Sequence, residues 1–393
     1  MQVDTQRAAP DRLTREGMDC LPDNRLDIAS WGIEGEVANQ IGPVRNGLVG
    51  EFDLPDAAVV KNAVTYYLYL GFGAEARQLL RTMDVATPDH AIWQTMAHVL
   101  DGDDITGSAF AEMEVCDTAA ALWSVLSAPG HTTGTNPRID AVLRSFSGLP
   151  LHLRRHLGSM LAARFLARDD TETARAIRDA ILRAPGDHGP SVRLMAAEID
   201  LAQGGDGAAI IPLMAEPGQT GAEATVALVR ATVARGAVVD AAITTALESL
   251  LLENKGGELE QPLQESLSLA LASQDRYLEA FSLAGPNSPV TPRIWDMLAQ
   301  TGTNSALLQH AIIDPEAPLP EVSAETDRVF ASRLIGLGFS MPALRWLTPT
   351  RRNPAILGEA DRLLTATAEI ARRDGRAALR ALAGMETDEA ISL

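Results

Sequence analysis

Residues 166–182, LARDDTETARAIRDAIL, combine an apolar residue, a short polar turn and an alanine eight positions after that apolar residue. Close variants recur along most of the chain, and no other feature constrains the fold as tightly. Leu68 pairs with Ala76, Leu166 with Ala174, Leu201 with Ala209, Val233 with Ala241, Leu298 with Ala306 and Ile370 with Ala378. The segments from Leu271 to Ala280 and from Leu334 to Ala343 fit with one extra residue. From Ala174 onward the alanines lie 35, 32, 39, 26, 37 and 35 residues apart. A period of about 34 residues is the length of two short antiparallel helices with their connections. Alanine suits the site physically because a small side chain lets the second helix approach the first closely. Glycine five residues earlier, at Gly71, Gly204, Gly236 and Gly338, permits the tight turn, and Asp169 and Asp275 hold the same slot.

Composition agrees with helices. Apolar residues make up 46% of the chain and aromatics only 4%, while Ala, Leu and Arg, all strong helix formers, are abundant. Val, Ile and Tyr never gather in the alternating runs that strands need. Residues 1–50 read as a separate N-terminal segment whose first dozen positions are expected to be disordered. Its apolar stretch 26–31 is expected to cap the first exposed helix face, and its one helical period, 36–48, is interrupted by Gly42-Pro43. The repeat array is expected over 51–384. It opens with a hairpin from Pro55 and a further helix over 89–100, is least regular over 101–150, and the end 385–393 reads as frayed. Short helices are expected there over 108–115, 118–127 and 137–146, with a mobile Gly- and Thr-rich loop over 129–136.

The spacing Gly-x-x-x-x-Ala, seen as GFGAEA at 71–76 and GGDGAA at 204–209, resembles that of the tetratricopeptide-repeat family across its hairpin turn. The resemblance covers roughly residues 55–384. The family's tryptophan, Leu-Gly pair and terminal proline do not recur at consistent positions, so a related α-solenoid is the alternative. What the resemblance implies is an all-α, right-handed α-solenoid of stacked antiparallel helix hairpins, whose first helices line a concave binding groove.

The formal charge is −19, with only two lysines, Lys61 and Lys255. So acidic a surface repels phosphate backbones and anionic lipid, which argues against nucleic-acid binding and membrane insertion. No apolar run approaches the roughly eighteen residues of a membrane span. The first twenty residues lack the apolar core of an export signal. The chain as it stands therefore reads as cytoplasmic, and as periplasmic if a leader precedes it. Cys20 and Cys116 are compatible with either compartment. Free thiols are the favoured reading, and a disulfide between them, tying the N-terminal segment to the array, is the alternative.

Motifs for chemistry are weak. GFGAEA also fits the dinucleotide fingerprint GxGxxA after a β-rich stretch, yet no further βαβ unit follows and its glycines fall in the repeat's turn. His152 and His156 stand at i, i+4 as zinc ligands would, but Arg154 and Arg155 lie between them. Asp101, Asp103, Asp104 and Glu112 hint at a calcium loop, with Ile105 and Thr106 where a ligand and a glycine are needed. No catalytic, metal or cofactor site is assigned. Two basic islands stand out instead: one includes Arg144, His152, Arg154, Arg155 and His156, and the other Arg345, Arg351 and Arg352. Either offers bidentate pairing to an acidic peptide, against a plainer reading in which they pair with neighbouring Asp and Glu. The sequence thus points to a non-enzymatic protein- or peptide-binding scaffold or adaptor of unspecified oligomeric state. The alternatives are an enzyme, or the regulatory domain of one, with its site hidden on the concave face, and a structural subunit of a larger assembly.

Overall fold

The structure is a computed structural model that describes residues 14, 17, 19–49, 54–83, 87–103, 105, 107–128, 136–313, 317–347 and 358–393. The described residues form helices and no strand. They divide into two compact units, Met1–Glu216 and Pro217–Leu393, a division that the repeat pattern does not draw.

The first unit holds α1 (Val37–Arg45), α2 (Ala57–Leu70), α3 (Gly73–Met83), α4 (His90–Asp101), α5 (Ala120–Ser127), α6 (Ile139–Gly148), α7 (Leu151–Leu166), α8 (Thr171–Leu182) and α9 (Pro190–Ala202). Asp56 starts α2 by accepting the N–H groups of Ala58 and Val59. Hairpin neighbours pack together, as do helices two apart, and α7 also returns to touch α2. Leu26 and Ile28 sit fully in the core beside two 3-10 turns, Asp23–Arg25 and Ile28–Trp31. Burying each such side chain contributes about 1.5–3 kcal/mol, enough to dock this segment where the sequence expects a cap. Helix α1 runs through Pro43, against the expected break, but it ends two residues later and buries nothing. The stretch 108–115 forms only a 3-10 turn, Met113–Val115, in place of the expected helix.

The second unit comprises α10 (Gln219–Ala234), α11 (Ala241–Glu253), α12 (Glu260–Ser273), α13 (Tyr277–Ala284), α14 (Thr291–Gln300), α15 (Asn304–Ala311), α16 (Ala324–Gly336), α17 (Ser340–Trp346), α18 (Glu359–Ala371), α19 (Gly375–Leu382) and α20 (Asp388–Ser392). Here α10, α12, α14, α16 and α18 pack in succession, with α11, α13, α15, α17 and α19 as their hairpin partners. Aromatic rings fill the middle: Phe330 stacks on Trp346 at 4.4 Å between centroids, and Trp295 meets Phe281 at 4.5 Å. The last helix, α20, buries no residue.

One local device closes most hairpins. Gly71, Asp169, Gly204, Gly236, Asp275, Gly338 and Arg373 all adopt a left-handed backbone, with φ between 59° and 89°. The residue after each returns its N–H to a carbonyl five positions back at 2.8–3.1 Å, as in Phe72 to Tyr67 and Arg276 to Leu271. This Schellman closure satisfies carbonyls that a helix end otherwise leaves orphaned. Five residues beyond that slot, Ala76, Ala174, Ala280, Ala343 and Ala378 are buried, and Ala306 is buried after a turn of different form. The template fails at two positions. Ala209 is exposed in a segment that never becomes a second α-helix, because the left-handed Gly204 and Gly207 turn the chain twice within four residues. Ala241 is exposed at the first position of α11, whose inner face is Thr244 and Leu247.

Candidate functional site

Four side chains of the two basic islands, His152, Arg154, His156 and Arg345, bond backbone carbonyls. From α7, His152 Nε2 bonds the Tyr69 carbonyl and His156 Nε2 the Leu100 carbonyl, each at 2.6 Å. A carbonyl only accepts, so both Nε2 atoms carry the proton. Those carbonyls belong to the last turns of α2 and α4, where partial negative charge collects and a donor is favoured. Arg154 donates to the Ala180 carbonyl near the end of α8 at 2.7 Å, and Arg155 Nε lies buried with no acceptor among the described residues. In the second unit Arg345 donates to the carbonyls of Ile313 and Ala317 at 2.6 and 2.8 Å. Arg333 does the same for Leu298, Ala299 and Gly302 at the end of α14. Arg351 and Arg352 lie outside the described residues. Backbone carbonyls, more than neighbouring carboxylates, therefore hold these islands.

The weaker motifs resolve in the same way. The stretch before GFGAEA is the helix α2, and Gly73 serves close packing: a Cβ there would collide with the Ala97 carbonyl oxygen and lie 2.6 Å from Asp101 Oδ1. Asp101 and Asp103 both pair with Arg77, the latter at 2.7 Å, and His98 Nδ1 reaches Asp103 at 2.9 Å. Asp104 and Thr106 lie outside the described residues, as does 129–135 of the expected mobile loop. Among the described residues no group of three or more His, Cys, Asp or Glu side chains is placed to hold a metal ion.

Arg144 is different. Its side chain is 57% exposed and lines an open cleft of about 340 Å³ beneath the docked N-terminal segment. The apolar wall is Leu26, Ile28, Leu122, Trp123 and Leu149, and the polar lining includes Asp23, Asn24, Asp27 and Ser145. Arg144 donates to Asp117 at 2.6 Å, with Asp140 at 3.8 Å, and Arg138 reaches Asp140 at 3.3 Å. The Arg144 hydrogen bond holds the Asp117 carboxyl below the usual carboxylate range against a smaller opposing effect of burial, and Arg144 is raised in turn. One face of the guanidinium is thus anchored while much of the group meets water.

A disulfide fixes this cleft's lid. Cys20 is bonded to the fully buried Cys116, with Cα atoms 5.9 Å apart, and Asp23 Oδ1 accepts the Ala119 N–H at 2.7 Å. The segment carrying Leu26, Asp27 and Ile28 is therefore held to the body at both neighbouring points. Sequence reading picks out Arg144 and the two cysteines but not Asp23, Asp27, Leu122 or Trp123, because only tertiary docking brings residues so far apart to one cleft. No helix among the described residues is long and apolar enough to cross a membrane. Comparison of the chain with family models, with curated proteins and with solved structures finds no match to any of them.

Proposed function

We propose that this chain is a non-enzymatic binding protein, an α-solenoid-type scaffold or adaptor that takes a protein or peptide segment of acidic character. Support for the solenoid reading comes from the second unit, where the main helix packing among the described residues is between near neighbours in sequence and one closure recurs in several hairpins. The observation that carries the functional reading is the exposed Arg144 beside an apolar-walled cleft. Such a pairing suits a peptide with an apolar side chain next to an Asp or Glu: the apolar group fills the cleft and the carboxylate meets the guanidinium in a charge-assisted bond.

Peptide display against the whole protein tests this. The expected result is enrichment of sequences with Asp or Glu beside Leu, Met or Phe, and about a tenfold weaker affinity for the Arg144→Gln variant, equivalent to about 1.4 kcal/mol. Enrichment of peptides that bind Arg144→Gln equally well would remove the cleft from the proposal. Failure to enrich any peptide would count against peptide binding itself.

A further inference from the structure

A second cavity in the first unit, of about 260 Å³, lies between the start of α2, α3 and α4. Its walls are apolar, chiefly Val60, Val64, Leu80 and Trp93, and its polar lining is Lys61 and Thr87. Lys61 is one of two lysines in a chain with 52 acidic residues, yet its ammonium has no carboxylate partner among the described residues. It stands 5.9 Å from the centroid of the Trp93 ring. Of the acids close to it in the chain, Asp56 accepts the Ala58 and Val59 N–H groups, while Asp89, which follows Thr87, pairs with Arg25 at 2.5 Å, and Glu51, Asp53 and Asp84 lie outside the described residues. Thr87 Oγ1 accepts the Asp89 N–H at 3.3 Å, which leaves its own proton to donate. Trp93 is almost fully buried, and its indole N–H has no acceptor among the described residues.

We infer that this cavity binds a small apolar carboxylic acid, with the hydrocarbon against Val64, Leu80 and Trp93 and the carboxylate on Lys61 and Thr87. The volume falls just below the roughly 300–1,000 Å³ of sites for drug-sized ligands, so a short acyl or aryl group fits and a nucleotide cofactor does not. A cation that has no carboxylate partner among the described residues and stands over an aromatic ring at the mouth of an apolar cavity favours an anionic head. This site is separate from the Arg144 cleft, and its test does not depend on peptide binding.

The probes are octanoate, octan-1-ol and octylamine, titrated into the whole protein by calorimetry, with the tryptophan indole N–H resonances followed by NMR. Octanoate is expected to bind most tightly, shift an indole resonance, and lose about fivefold in affinity in the exposed-site variant Lys61→Met. Octan-1-ol is expected to bind wild type and Lys61→Met within twofold of each other. Ala58→Phe, at an exposed helix position on the rim, should exclude both. Equal octanoate affinity in wild type and Lys61→Met, tighter binding of octylamine than of octanoate, or binding that survives Ala58→Phe would each overturn the assignment.

Discussion

The two units solve the same packing problem in different ways. In the second, the main helix packing among the described residues is between near neighbours, and the middle is filled by Phe281, Trp295, Phe330 and Trp346, with His310 5.3 Å from the Phe281 ring. In the first, α7 reaches back to α2, a non-helical segment docks over the body, and a covalent bond between Cys20 and Cys116 holds it. Regular stacking lets the hairpins α12–α13, α16–α17 and α18–α19 each close through the Schellman turn and bury one alanine. Irregular docking leaves the cleft beside Arg144 under the N-terminal segment, while the Lys61 cavity lies within the first hairpin and the helix stacked on it. The difference teaches that the repeat builds the body, while a departure from the repeat builds the cleft beside Arg144.

Reduction should separate the units most sharply. The disulfide closes a sequence separation of 96 residues, and opening a loop of that size commonly costs 2–4 kcal/mol, roughly. Hydrogen exchange with and without reductant, or in Cys20→Ser, should show lost protection at 19–31 and in α5, with α12–α18 unchanged. Equal loss in both units would erase the distinction. Gly73→Ala should come next, at about 1–3 kcal/mol, because backbone on α4 leaves no room for a methyl group. Its effect is read from the urea midpoint of the first unit.

A smaller pair of changes probes what the units share. Arg373 holds a left-handed slot that glycine fills elsewhere, so Arg373→Gly should stabilise the second unit by about 0.5–1 kcal/mol, and Gly71→Ala should destabilise the first by about 1 kcal/mol. Opposite signs, with glycine favoured in both slots, would show that the common turn is a common energy term. Last is pH. Burial pushes the His310 pKa below its ordinary value. Above the ordinary value, about 6.5, both folded and unfolded states are neutral there and the contribution is complete. As pH falls below it the unfolded chain takes up the proton first, so the second unit weakens until the folded pKa is passed. Urea midpoints at pH 7.5 and 5.5 should differ less in His310→Gln than in wild type.

The helical class and the hairpin slots were legible in the sequence, because the alanine and the turn residue five positions before it are local signals. Arg373 went unseen in its slot because arginine carries no mark of a left-handed backbone; only the closing bond from Asp374 to Glu369 reveals it. Ala209 and Ala241 match the spacing yet stay exposed, since the template says nothing of whether a second helix forms or where it starts. The basic islands were visible as charge, but the partners of His152, Arg154 and His156 are carbonyls at the ends of other helices, which no side-chain pattern encodes. Arg144 looks like its neighbours in the sequence and differs from them in its carboxylate partner, Asp117, and in how much of it packing leaves uncovered.

That contrast gives the most direct test. Wild type, Arg144→Gln and Arg154→Gln should be compared for affinity toward a display-selected acidic peptide and for melting temperature. Arg144→Gln is expected to lose about tenfold in affinity while its melting changes little, as for most exposed positions. Arg154→Gln is expected to keep its affinity and melt earlier, because the Ala180 carbonyl loses a charged donor worth roughly 1.5–3 kcal/mol. The reverse pattern, with binding lost in Arg154→Gln at unchanged melting and retained in Arg144→Gln, would contradict the account.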